Sequence, residues 1–151
     1  IKKAKVWQEE KNIKDEVIMN ARLALDQFTL AQQVRSVTNF AKQSGAALCN
    51  VEAPKFEDNE ATLFDLEKRI DTTLEFLSAL DESMVANDLE TRLIPLYWMP
   101  GKGLTAKYFV ETYAHANFFF HYVTAYSILR HYGLGIGKSD YMGQVALQDL
   151  A

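Results

Sequence analysis

The residues best suited to chemistry in this chain are its three histidines, and all of them fall in one stretch, 105–133, TAKYFVETYAHANFFFHYVTAYSILRHYG. An imidazole titrates near neutral pH and can serve as base, acid or metal ligand. Spacing limits the choice. His115 and His121 are six residues apart, which on a helix sets them about 120° apart and denies them the shared ion that an i, i+4 pair can hold. HExxH and CxxC do not occur, and Glu111 with His115 has the wrong spacing for the Glu-x-x-His of carboxylate di-iron bundles. Dinuclear oxidase chemistry is excluded on that ground. His121 shares an arc of about 100° with Val110, Tyr113, Ala114, Asn117, Thr124 and Ile128. It is therefore either a site residue beside Asn117 or a hydrogen-bonded core histidine. His115 points away from that arc, and His131 stands in the last turn, where its cation would suit the helix dipole; both read as structural.

Other motifs carry less. GLGIGKS, 133–139, lacks the first glycine of a phosphate loop, because Tyr132 stands five residues before Gly137, and it follows a helix rather than a strand. It reads as a helix C-cap and turn. Cys49 has no basic patch nearby in sequence and reads as a small buried apolar residue. Serines, histidines and acids all occur, but nothing in their local sequence marks an activated nucleophile.

The elements that must position these groups follow from periodicity. The stretch 105–133 is one long helix, with Thr105 as N-cap and Gly133 ending it. Residues 1–11 are the remainder of a helix with Ile1, Ala4 and Trp7 at helical spacing, and 12–26 is a connection with at most one helical turn. A helix over 29–49 places Leu30, Val34, Val37, Ala41 and Leu48 on one face, with Gly45 allowing a close neighbour and Gln33, Arg35 and Lys42 facing elsewhere. VEAPKFEDNE, 51–60, is a loop in which Asp58 or Asn59 supplies the next N-cap. The helix over 61–80 carries Leu63, Leu66, Ile70, Leu74 and Leu77 on one stripe, with Lys68, Arg69, Asp71 and Glu75 off it. Two prolines and β-branched and aromatic residues make 89–104 a short hairpin or extended crossover, and 134–151 is a Gly-rich, then weakly apolar tail. The fold class is all-α, a four-helix bundle with a long connection before the last helix.

Bulk properties narrow the function classes. A chain of 151 residues suits one domain spanning 1–151. No apolar run approaches the roughly 20 residues that cross a bilayer. A net charge of −4 without a basic stripe disfavours nucleic acid. The single cysteine and the lack of a signal-peptide pattern make the cytoplasm the expected compartment, and the first residues, IKKAKVW, look like a helix whose leading residues are missing. Phe118, Phe119, Tyr122 and Tyr126 lie outside the inward arc of the last helix and call for a second cover, supplied either by the 89–104 crossover and the tail of the same chain or by a second copy; a homodimer is the expectation.

NFFFHYVTAYSILRHYGLGIGKSDYMG, together with VEAPKFEDNEATLFDLEKRI and RLALDQFTLAQQVR, resembles an uncharacterised bacterial family within the DinB/YfiT-like superfamily. The resemblance covers 22–143. It implies a four-helix bundle, often dimeric, with a divalent metal held by three histidines at the bundle mouth; characterised members include transferases that use low-molecular-weight thiols. The His-x-x-x-His of the final helix falls on Asn117 and His121, and the histidine of the second helix falls on or near Ser36. One of three ligand positions is kept, so the metal site is degenerate. No cofactor is expected, or at most a weakly held divalent ion. Two readings follow. One is a bundle that binds a small molecule or partner without a tight metal site. The other is a metal-poor, thiol-dependent transferase-like enzyme with His121 as catalytic general base and Gln33, Ser36 and Asn117 as binding residues.

Overall fold

A computed structural model describes residues 1–148; the end of the tail, 149–151, lies outside the described residues. In chain order it comprises α1 (Lys2–Glu10), α2 (Asp15–Met19), α3 (Leu30–Cys49), α4 (Leu63–Ser78), a hairpin of β1 (Leu93–Pro95) and β2 (Gly103–Thr105), α5 (Ala106–Tyr108), a π-helical segment Phe109–Ala114, α6 (His115–His131) and α7 (Lys138–Met142). The expected helical bundle is present, and the segment 89–104 contains the expected hairpin, paired Leu93 to Thr105 and Pro95 to Gly103. In Gly103 a Cβ would stand 2.9 Å from the Ile94 carbonyl oxygen, so this strand position requires glycine.

Helix starts are set by local chemistry. Thr29 and Gln32 form a capping box on α3, and Thr62 with Asp65 forms one on α4. Asp58 and Asn59 are thus not the caps: the threonine nearer the apolar run satisfies the first N–H groups. Thr105 accepts from the Tyr108 N–H, and Gly133, at φ +101°, ends α6. The turn of GLGIGKS then sends Leu134 and Ile136 into the core.

α3 is the central helix, packing on both α4 and α6. Ile18, Leu30, Leu63, Leu66 and Ile128 are its fully buried neighbours and residues. α2, which the sequence leaves as a connecting turn, inserts Ile18 and Met19 into this core. At Gly45 an added Cβ would lie 2.7 Å from side-chain carbons of Leu77 and Leu80, the expected close approach of α3 and α4.

The polar faces differ from expectation. Gln33, Lys42 and Arg69, placed off the apolar stripes by periodicity, are buried, whereas Leu74, placed on the stripe of α4, is 56% exposed. Arg69 explains part of this. Its side chain is 1% exposed and its N–H groups reach Asp58 Oδ1 at 2.6 Å, Glu60 Oε1 at 2.7 Å, Thr38 Oγ1 at 2.7 Å and Asn39 Oδ1 at 2.9 Å. Its guanidinium also lies 4.1 Å from the centre of the Phe56 ring. Arg35 adds Nε to Glu60 Oε2 at 2.6 Å, and buried Lys42 donates to the Pro54 carbonyl. The loop 51–60 is therefore clamped onto α3 and α4 by cations, and α4 turns Arg69 rather than Leu74 toward the centre. Burial drives the Glu60 carboxyl up, but hydrogen bonds from Arg69, its own backbone and Arg35 outweigh this and hold it below the usual range.

The last-helix aromatics are also partly accounted for within one chain. Tyr122 stacks on Tyr141 at 4.7 Å and donates to the Tyr141 carbonyl at 2.8 Å, and Tyr126 meets the same ring edge-on at 5.8 Å. These two tyrosines do not call for a partner chain, because α7 reaches them. Phe119, Phe120 and Val123 remain substantially exposed.

Replacing Arg69 by Ala leaves Glu60 and Asn39 without their buried donor, and its cost is expected at about 3–5 kcal/mol. A urea titration measures it; a loss below about 1 kcal/mol would mean that the loop holds without its clamp.

Candidate functional site

His121 lies on the face of α6 that packs against α3. Residues 117, 121, 124 and 128 share that face at helical spacing, and Thr124 and Ile128 are buried with it. Its ring is held between two others: Phe28 and Phe40 stack on it at 5.9 Å each, at 10° and 12°, while Phe120 meets it edge-on at 5.2 Å. Phe40 meets Tyr113 edge-on at 5.9 Å, and Tyr113 stacks on Trp98 at 5.5 Å in the hairpin turn. An aromatic row thus crosses the bundle end, with exposed Phe28 and Trp98 at its two flanks.

One hydrogen bond defines the chemistry. Gln33 Nε2 donates to the Phe28 carbonyl at 3.3 Å, which turns Gln33 Oε1 toward His121 Nδ1 at 2.6 Å. Because that oxygen can only accept, Nδ1 carries the proton. The neutral ring then presents a bare Nε2, which has no hydrogen-bond partner among the described residues, and 9% of the residue remains exposed. Burial lowers the His121 pKa from the ordinary histidine value. The site is a neutral, π-walled base.

Of the four residues singled out by sequence, the structure brings two together. Gln33, expected to face away from the apolar stripe of α3, is 1% exposed and is the partner of His121. Ser36 donates to the Gln32 carbonyl at 2.9 Å, one turn back in its own helix. Asn117 donates to the Tyr113 carbonyl at 2.7 Å within the π segment. No hydrogen bond joins either to the His121–Gln33 pair. Among the described residues no group of three His, Cys, Asp or Glu side chains could hold a metal ion. His115 and His131 are exposed. The flanking phenylalanines were not singled out by sequence reading; an aromatic at each of Phe28, Phe40 and Phe120 is indistinguishable in sequence from ordinary core.

A profile of the family described as Domain of unknown function (DUF1993) matches residues 1–142. The chain belongs to this family. Among solved structures, the DUF1993 chain is similar to a crystal structure of a DinB family member protein from Shewanella denitrificans, with a TM-score of 0.88 and 37% identity over 99% of this chain and 84% of that one. No curated protein matches it. The expected resemblance to DinB-like proteins is thereby met in sequence and in fold, and neither description states a function.

The His121 pKa carries a stability consequence. When a folded-state histidine pKa lies below the unfolded value, the unfolded chain binds more protons in the interval between them, so stability rises with pH there. The contribution of His121 should be complete above about pH 6.5 and fall away as the solution is acidified. Nitrogen-detected NMR should show Nδ1–H, Nε2-bare imidazole at pH 7 and a midpoint below 6.5. A midpoint at or above that value would contradict the buried neutral ring.

Proposed function

We propose that this DUF1993 protein is a binding bundle without a tight metal site, whose ligand contacts the aromatic row around His121. The supporting observation is the Gln33–His121 hydrogen bond, which leaves Nε2 without a partner among the described residues, while Ser36 and Asn117 donate to carbonyls one turn back rather than toward the ring. One nitrogen donor falls short of the three or four protein ligands of a zinc site. A neutral acceptor flanked by phenylalanine rings suits a small planar molecule with one N–H or O–H donor, since stacking supplies area and the hydrogen bond supplies orientation. Binding without chemistry accounts for every polar group named here. A second reading, a thiol-dependent transferase-like enzyme, is favoured by one observation, namely that a neutral imidazole with an unengaged Nε2 can take a proton from a thiol. No helix among the described residues is long and apolar enough to cross a membrane, and a reducing cytoplasm remains the proposed compartment.

Phenol serves as a probe. Titrated into the protein, it should shift the amide resonances of Phe28 and Phe40 saturably, and His121→Phe, which keeps the stack and removes the acceptor, should abolish the effect. A flat titration, or an equal response in the variant, would sink the ligand reading. In the same samples, protein purified without chelators should carry well under one equivalent of zinc or nickel; stoichiometric metal lost in His121→Ala would overturn the metal-free reading.

The reading includes a homodimer, now carried by the outward stripe of Phe119, Phe120 and Val123, at 41%, 57% and 45% exposure. An apolar stripe on one helix suits an isologous contact with its own copy. Light scattering at micromolar concentration should give twice the chain mass, reverting to monomer in Phe120→Glu. A monodisperse monomer at high micromolar concentration would count against it.

A further inference from the structure

The ligand site at His121 lacks an outer wall within one chain. None of the three principal cavities is lined by His121, Phe28 or Phe120. Phe28 and Phe120 flank the ring, yet they are 50% and 57% exposed. Small-molecule sites are concave and bury most of the ligand's surface. A molecule resting on this aromatic row is left open on its outer side.

The open side adjoins the apolar stripe of α6. Phe120 belongs to both, meeting His121 edge-on at 5.2 Å while standing beside exposed Phe119 and Val123. Charge marks the limits of that face, since no Asp, Glu, Lys or Arg occurs over 112–129, between Glu111 and Arg130. Arg130 lies within about 20° of Val123 on the helical wheel. Glu111 stands about 120° from Val123 on a regular helix, and the underwound π segment carries it back toward the stripe. Both are exposed, and neither forms an ion pair among the described residues. Lys107, one turn before Glu111, is taken by Glu90.

An antiparallel two-fold contact of α6 with its own copy satisfies charge and apolar surface in a single register. Where Glu111 of one chain meets Arg130 of the other, Phe119 falls opposite the copy's Val123 and Phe120 opposite the copy's Phe120. Each match holds to within one residue, about 1.5 Å of helix. Symmetry gives the ion pair twice, whereas a parallel contact would set Glu111 against Glu111.

We infer that a second copy of this chain supplies the outer wall of the His121 site through this antiparallel α6 contact, with both Phe120 rings at the two-fold axis, and that ligand binding and dimerisation are therefore linked. The inference rests on the ligand and dimer readings above and adds the register and the coupling between them. Linkage is reciprocal: whatever the dimer adds to ligand affinity, the ligand adds to dimer affinity.

Phenol and light scattering test it together. At a concentration where the wild-type chain has twice the monomer mass, phenol should shift the Phe28 and Phe40 amides saturably. Val123→Glu, at an exposed position of the stripe off the His121 ring, should give the monomer mass and weaken phenol binding about tenfold. Glu111→Arg should also lower the mass, and Arg130→Glu added to it should restore both the mass and the phenol affinity. Equal phenol affinity in the wild-type dimer and the Val123→Glu monomer would overturn the inference and leave the ligand reading standing. A monomeric wild type that binds phenol would do the same. If the wild type is dimeric but the double charge reversal stays monomeric, the register is wrong and the inference falls with it. No saturable shift in a dimeric wild type would remove the ligand reading itself, and the linkage with it.

Discussion

Everything about the arrangement of α3 and α4 depends on one cation being satisfied without water. A guanidinium presents five N–H donors in a rigid plane and does not lose its charge. Buried alone, it would cost several kcal/mol. Arg69 meets carboxylate, hydroxyl, amide and carbonyl oxygens, the last being Arg35 O at 3.4 Å, and one of its faces is closed by Phe56. Those partners come from three places: α3, the start of the 51–60 loop's return, and Glu60 just before α4. The loop cannot be repositioned without stranding a charge, so a segment with no regular hydrogen bonding of its own has one conformation. Asp58 accepts a left-handed φ of 55° to put its carboxylate there.

The contrast with His121 is instructive. Arg69 is a charge whose every donor is answered; His121 is a neutral ring with one nitrogen answered and one not. Both pack against α3, Arg69 at Thr38 and Asn39 and His121 at Gln33, but the first is surrounded by oxygen and the second by aromatic carbon. In an apolar surround the uncharged form of an imidazole is favoured, which is why burial lowers the His121 pKa. The same surround strengthens any hydrogen bond made at Nε2, because little water competes for it.

Much of this was legible in the sequence. The stripes on α3 and α4 and the apolar length of the last helix gave the bundle, and the prolines at 95 and 100 gave the hairpin region. What periodicity could not show was which polar residues would be drawn inside. Gln33 lies within about 60° of Leu30 and Val37 on the helical wheel and Arg69 within about 60° of Leu66, so a rotation of a fraction of a turn decides their fate. That rotation is set by partners distant in sequence: His121, 88 residues from Gln33, and the acids of the 51–60 loop. Leu74 was misplaced for the same reason in reverse. Thr62 displaced Asp58 as cap because Asp58 was already committed to Arg69. The resemblance to DinB-like proteins pointed to His121 and Asn117, but only the fold distinguishes Gln33, which touches the ring, from Ser36, which bonds to its own helix.

The π segment at Phe109–Ala114 has a further consequence. A single π turn is geometrically an α-helix with one residue inserted. It delays the backbone by about 100° relative to a continuous α-helix, so the part leading out of the hairpin and the part bearing His121 are in different phases. Excising one residue there would restore a regular helix while leaving His121 against α3. Everything upstream would swing by that angle, taking Tyr113 off Phe40 and the Trp98 turn away from the bundle end. The aromatic row is in this sense a product of chain length: an insertion of one residue, with no change in the type of any other, is what brings the hairpin over the histidine.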